Sequence, residues 1–301
     1  MKIFVDTAEL DEISEAYSWG VVDGVTTNPS LIKKAVQARE EIQIEEYIEE
    51  ICRTVDGPVS LEVISMNFED MVREATILYE RFNPVNDNVV VKVPVNPSSE
   101  LTDAGSYEGL RALKELSERD IPTNTTLIMK PEQAFLAAKA GADYVSPFAG
   151  RIDDYIRRKI GLKRGKDYQK GDFHDAGWLD QGNFFRLKDV YDDLYGEDID
   201  EIYSDQRVGE AREQITDQGI RSGVELVQSI RRIFDNYGFE TGVLAASIRN
   251  SRQVREIAEV GADIATIPFS VLTEMLNHDK TEEGVVSFAE DVVPEYEALF
   301  E

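Results

Sequence analysis

Short apolar runs recur along the chain, and most are followed by hydrophobic residues at helical spacing. Eight runs span residues 3–6, 24–27, 59–64, 89–95, 122–127, 143–147, 242–247 and 263–268. They are brief and rich in β-branched residues, as strands buried on both faces of a parallel sheet are. Between them, residues 31–55 form a long, acid-rich amphipathic stretch, and 68–81 place Met71, Ala75 and Leu78 on one helical face. Segment 131–140 opens on Pro131 and stops at Gly141, and 251–260 stops at Gly261 in the same way. "AGADYVSP" (140–147) and "VGADIATIP" (260–268) repeat one unit of helix end, glycine, small residue, acid, strand and proline. Strict alternation of eight strands with helices predicts a single closed (β/α)8 TIM barrel domain over residues 1–301. A doubly wound open sheet is the alternative. It usually carries a glycine-rich phosphate turn after its first strand, and Val5-Asp6-Thr7-Ala8 is not one.

Two stretches break the rhythm. Residues 96–107 form a polar insertion after the fourth strand. Residues 153–219 are too long for one strand-to-helix step and predict a helical insertion within the barrel domain, either capping the barrel or meeting another copy. This insertion holds Trp178, Phe184, Phe185, Tyr191, Tyr195 and Tyr203, with Arg157, Arg158, Lys159, Lys163, Arg164 and Lys166 among its bases. Residues 285–299 predict a terminal helix, on the barrel or against a neighbour.

Charges inside apolar runs carry the candidate chemistry. Lys92 interrupts Val89-Val90-Val91-Lys92-Val93-Pro94-Val95. An ammonium there is costly unless paired or deprotonated. It is an edge lysine, a buried ion pair, or an amine kept ready to attack a carbonyl. Glu62 interrupts 59–64 in the same manner and is a partner for Lys92 or an acid near it. Asp6 ends the first strand, where it serves either as an acid or, with Glu9, as a helix capping box. Thr26-Thr27-Asn28, Asn124-Thr125-Thr126 and Ser146 sit at strand ends, where barrel active sites form; turn chemistry is the alternative. Arg151 and Arg249 follow successive strand ends and are either solvated charges or a clamp for an anion.

Composition narrows the classes. Of 301 residues, 42% are hydrophobic and 30% charged, which excludes disordered and collagen-like chains. No apolar run approaches the ~20 residues of a membrane span, and MKIFVDTAEL does not read as a signal peptide; a cytoplasmic location is expected. A single cysteine, Cys52, excludes an intrachain disulfide, and two distant histidines, His174 and His278, argue against a zinc site. The net charge of −27 opposes nucleic acid and anionic membranes as partners. An anionic ligand must therefore be met by cations placed in its site. A homo-oligomer stays open, since acidic repulsion opposes it while the aromatic insertion and terminal helix favour it.

The chain resembles the transaldolase family, including its short members, the fructose-6-phosphate aldolases. The resemblance rests on "VDTAEL" (5–10), "GVTTNPSLI" (24–32), "LEV" (61–63), "VVVKVPV" (89–95), "IPTNTTLI" (121–128), "GADYVSPFAGRIDD" (141–154) and "VLAASIRN" (243–250). It implies a (β/α)8 barrel, the pentose phosphate pathway, and a class I aldolase mechanism with no metal and no cofactor. Lys92 is then the Schiff-base lysine and Asp6 the acid/base at the sugar's C4 hydroxyl. Glu62 and Thr126 would hold a proton-relaying water. Thr26 is placed among the substrate contacts, and Asn28, Asn124 and Ser146 would bind the dihydroxyacetone part. Arg151, Ser247 and Arg249 would hold the anionic tail of a sugar phosphate. Glu62 and Phe148 match the transaldolase branch, whereas the aldolases carry Gln and Tyr there. The resemblance thus implies transfer of a dihydroxyacetone unit. Release of free dihydroxyacetone, transfer from a sulfonated ketose and non-catalytic sugar-phosphate binding are the rivals.

The acid excess is read as a surface suited to high salt, where screening weakens self-repulsion. The Tm is expected to rise between low salt and molar KCl in thermal melts, and an unchanged Tm would contradict this.

Overall fold

The computed structural model describes residues 1–37, 43–96, 107–179, 188–194, 196 and 198–300. Eight parallel strands close into a barrel in sequence order. They are β1 (Lys2–Asp6), β2 (Gly24–Thr26), β3 (Val59–Glu62), β4 (Val89–Pro94), β5 (Thr123–Ile128), β6 (Tyr144–Pro147), β7 (Gly242–Ala245) and β8 (Ile264–Ile267). Each of the eight apolar runs supplies one strand.

The two-residue period of a strand divides every run between two environments. Val5, Val25, Val59, Leu61, Val89, Val91, Val93, Val145, Val243 and Ile267 all join the large core cluster under the helices. The alternate residues face into the barrel. Phe4, Leu244, Ala246 and Ile264 form a separate buried cluster there, packed by Tyr144 and Phe148. Gly24 makes room for this plug: a Cβ on it would stand 2.7 Å from the Phe4 ring and 2.8 Å from the Pro58 carbonyl. At the strands' C-terminal ends the interior becomes polar, with Thr26, Ser60, Lys92, Asn124, Thr126, Ser146 and Thr266 all buried.

Helices surround the strands: α1 (Leu10–Ser18), α2 (Pro29–Gln37), α3 (Ile44–Thr54), α4 (Phe68–Asn86), α5 (Glu108–Glu118), α6 (Pro131–Lys139) and α7 (Ala149–Lys159). After them come α8 (Lys188–Asp193), α9 (Ile199–Ser204), α10 (Gln206–Gln214), α11 (Gly223–Tyr237), α12 (Ser251–Glu259), α13 (Phe269–Glu274), α14 (Asp279–Glu290) and α15 (Pro294–Glu297). Side-chain caps fix several starts. Asn67 accepts from Asp70 N at 2.9 Å, Ser222 from Glu225 N at 3.1 Å and Asn250 from Gln253 N at 2.9 Å.

Several boundaries differ from the sequence pattern. The stretch 31–55 divides into α2 and α3, and residues 38–42 between them lie outside the described residues. α4 runs five residues past 81, carries Pro84 in its last turns and stops where Asp87 turns left-handed at φ 48°. Residue 153 lies inside α7 rather than at the start of an insertion. The described part of 160–219 holds α8, α9 and α10, while Phe184, Phe185 and Tyr195 lie outside the described residues, as do 97–106 of the polar insertion. The terminal helix is two pieces, α14 and α15, separated before Pro294, and neither buries a residue.

Candidate active site

Strand register brings the two anomalous charges together. Glu62 on β3 and Lys92 on β4 are direct partners across the sheet, and their inward side chains meet with Lys92 Nζ 3.0 Å from Glu62 Oε2. Lys92 Nζ also donates to the Thr27 carbonyl at 3.0 Å. Lys92 retains only 6% exposure, so it is no edge lysine; the ion pair and the carbonyl offset the several kcal/mol that burying a lone ion costs. Asn124 on β5 is the next neighbour in register.

Asp6 does not form the capping box that its sequence permits. α1 starts at Leu10, beyond its reach, and Thr7 instead bonds Glu12 at 2.5 Å and accepts Glu9 N at 3.1 Å. Asp6 is aligned with Thr26 and accepts its hydroxyl proton at 2.8 Å. Thr26 Oγ1 is also 2.5 Å from Thr266 Oγ1. A hydroxyl has one proton to give, so the chain runs Thr266 to Thr26 to Asp6, fixing the carboxylate at the cavity wall.

A second polar chain crosses the interior. Ser146 donates to Asn124 Oδ1 at 2.6 Å, and Asn124 Nδ2 donates to Ser60 Oγ at 3.3 Å. Asn28 has a double use: its Oδ1 caps α2 by accepting Leu31 N at 3.0 Å, with Pro29 at the first helical position, while the residue also lines the cavity. Thr126 Oγ1 is buried with no hydrogen-bond partner among the described residues.

These side chains surround one cavity of about 330 Å³ at the C-terminal mouth of the barrel. Asp6, Thr26, Asn28, Lys92, Asn124, Thr126, Ser146, Phe148, Arg151, Ser247 and Arg249 all line it. Glu62 is joined to the site through Lys92. The sequence reading thus assembles in one place. It missed Ser60, Thr266 and Lys170, and it noted Arg164 only as one base among several. Threonine and serine are ordinary strand residues, so Ser60 and Thr266 carry no signal of their own.

Cations also line the cavity. The Arg151 guanidinium lies 4.8 Å from the Phe148 ring centroid. Arg249 Nη2 bonds Asp154 Oδ2 at 3.2 Å, while its buried Nε has no partner among the described residues. Burial holds the Arg249 guanidinium below its ordinary value against the pull of Asp154, and the nearby Arg164 and Arg151 add to the shift. Gln253 braces the arginine from behind: its Oε1 accepts Arg249 N at 2.9 Å and its Nε2 donates to buried Asp153 at 2.8 Å. Ser247 adopts a left-handed φ of 61°, which turns the chain between the end of β7 and Arg249.

Other nucleophiles are poorly placed. Burial pushes the Cys52 thiol up to about 12, far from the few-unit range of reactive thiolates. Among the described residues no three His, Cys, Asp or Glu side chains group as a metal site would need.

The family model described as Transaldolase/Fructose-6-phosphate aldolase matches residues 3–174 and 194–301. A protein of Kosmotoga olearia named a probable transaldolase is 39% identical over 291 residues, covering 97% of this chain and 95% of the relative. A probable transaldolase of Thermodesulfovibrio yellowstonii is 37% identical over 291 residues, covering 97% of each. One of Thermoplasma acidophilum is 39% identical over 292 residues, covering 97% of this chain and 95% of the relative.

Gly150 ties the two arginine loops together: a Cβ on it would stand 2.2 Å from the Ser247 carbonyl and 2.4 Å from Arg249 Nε. Gly150→Ala is therefore expected to cost about 1–3 kcal/mol through overpacking, read as a lower midpoint in urea unfolding. An unchanged midpoint would mean that the Ser247 turn yields at no cost.

Proposed function

The chain belongs to the transaldolase/fructose-6-phosphate aldolase family, and we propose that it is a transaldolase. In this reading it moves a dihydroxyacetone unit from a ketose phosphate, such as fructose 6-phosphate, to an aldose phosphate. The observation that carries the proposal is the buried Lys92 amine, 3.0 Å from the Glu62 carboxylate, in a cavity walled by Asp6 and lined by Arg151 and Arg249.

The chemistry follows from those positions. Lys92 Nζ gives up a proton, attacks the ketose C2 carbonyl and, as water leaves, forms the Schiff base. Glu62 is the adjacent acceptor and donor for these transfers, with Thr126 supplying a buried hydroxyl for the relayed water. Asp6, its carboxylate held by Thr26, removes the proton from the C4 hydroxyl. The C3–C4 bond then breaks, its electron pair passes into the iminium to give an enamine, and the aldose departs. The acceptor aldehyde recovers those electrons in a new C–C bond, takes a proton on its oxygen, and water hydrolyses the Schiff base. Asn28, Asn124 and Ser146 supply amide and hydroxyl groups matched to the dihydroxyacetone hydroxyls. Arg151, Ser247 and Arg249 receive the anionic tail.

Phe148 supports transfer over release. It presents a ring with no hydroxyl where a tyrosine would offer a proton to the enamine carbon. An enamine that is not protonated waits for an aldehyde. The partners in this reading are small sugar phosphates, and a cytoplasmic location accords with that metabolic role. Among the described residues no helix is long and apolar enough to cross a membrane. The exposed Val285, Val286 and Phe288 of α14 support a homo-oligomer.

With fructose 6-phosphate as donor, product should accumulate only when an acceptor such as erythrose 4-phosphate is present, and Lys92→Ala should lower the rate by about 10⁴-fold or more. Product analysis decides: equal release of dihydroxyacetone with and without acceptor would favour the aldolase rival, and full activity of Lys92→Ala would end the Schiff-base reading.

A further inference from the structure

Beyond the two arginines at the ends of β6 and β7, two more cations line the same cavity, Arg164 and Lys170. Both come from the connection that follows α7. Apart from Lys92, which is paired with Glu62, the cavity-lining cations Arg151, Arg164, Lys170 and Arg249 face a single lining carboxylate, Asp6, on a chain whose net charge is −27. Such a local reversal of sign needs a reason, because four cations around one space repel each other.

The connection is held in place on both sides of these residues. Gly165 N bonds the Tyr168 carbonyl at 2.8 Å and Lys163 N bonds the Asp167 carboxylate at 2.8 Å, closing a compact turn. Tyr168 is buried, with the Arg157 guanidinium 4.5 Å from its ring centroid. Directly after Lys170, Asn250 Nδ2 donates to the Gly171 carbonyl at 2.9 Å, and Arg157 Nη2 donates to the Asp172 carbonyl at 2.9 Å. Arg164 Nη1 lies 3.8 Å from Asp154 Oδ2, the same oxygen that takes Arg249. The segment is therefore built onto the anion end, and Lys170 is carried over the mouth between fixed points. Lys170 is exposed at that rim, yet partial burial and the Arg249 and Arg164 guanidiniums push its ammonium below the ordinary lysine value. A bound dianion would relieve that repulsion.

We infer that Arg164 and Lys170 complete the tail subsite with Arg151 and Arg249, and that this end selects a terminal phosphate dianion over a monoanion such as a sulfonate or an uncharged sugar. Both residues act as specificity determinants. The inference deepens the transaldolase reading and rests on it for the sugar, while phosphate binding itself can be judged without catalysis.

The test is calorimetric titration of inorganic phosphate and of methanesulfonate into the full chain. Phosphate should bind at least about tenfold more tightly than methanesulfonate. Arg164→Ala and Lys170→Ala should each weaken phosphate about tenfold, the scale of one charge-assisted contact. Lys170→Arg should restore most of the affinity. Lys166→Ala, which removes an equal charge from the same turn without lining the cavity, is the comparison for general electrostatics. In parallel, the kcat/KM preference for fructose 6-phosphate over fructose should fall about tenfold in Lys170→Ala. No phosphate binding by the wild type, no preference over methanesulfonate, or equal losses in Lys166→Ala and Lys170→Ala would overturn the inference. A wild type that binds phosphate as described but transfers nothing would instead count against the transaldolase reading and leave this subsite standing.

Discussion

One contact organises the barrel interior: the ion pair between Lys92 and Glu62. Burying an ammonium among valines is unfavourable by several kcal/mol unless a partner waits at bonding distance. The partner is supplied by register, since β3 and β4 align residue 62 with residue 92. The odd-numbered valines of β4 meet the helices, and the even positions turn inward. Lys92 therefore has no apolar wall to occupy and meets solvent only through the cavity at the barrel mouth. It must share the interior with groups that can take its charge or its proton. The surrounding order follows from that demand. Asn124 is next in register, Ser146 and Ser60 bond to Asn124, and the Thr27 carbonyl accepts from the amine. Below this layer Phe4, Leu244 and Ile264 close the barrel with hydrocarbon, which keeps the polar level open at one end only.

The cavity combines acid and base groups with a cluster of cations. Asp6, Glu62 and Lys92 bring two carboxylates and an amine to one site. Beside them stand further guanidinium and ammonium groups on a protein that is otherwise strongly acidic. The long-range field of the molecule repels a sugar phosphate, and high salt screens it beyond roughly 8 Å or less. Inside the cavity the specific cations operate at closer range than that screening length. Acid on the surface and base in the pocket are thus compatible.

The barrel is legible in the sequence because each of its strands is a short apolar run in alternation with helices, and no glycine-rich phosphate turn follows the first strand to mark an open doubly wound sheet. Lys92 and Glu62 are legible for a sharper reason: each is a single charge inside such a run. Asp6 is half legible, since the same four residues also spell a helix cap, and only the position of Leu10 at the start of α1 separates the two readings. Thr266 carries no sequence signal, because threonine is a common strand residue and its contact with Thr26 spans 240 positions. Lys170 lies in a turn with no periodicity, and its location depends on Tyr168 being buried and on Asn250 holding Gly171. Long-range contacts of this kind are written in the fold rather than in any local pattern. The continuous helix expected near the C-terminus is broken for a local reason, Pro294, that the hydrophobic pattern alone did not weigh.

The central claim is that a buried primary amine condenses with a sugar ketone. It is tested most directly by reducing the protein with borohydride in the presence of fructose 6-phosphate and mapping the adduct by peptide mass spectrometry. The account predicts one covalent addition, located on Lys92. An adduct on another lysine, or none at all in protein that turns over the sugar, would contradict it.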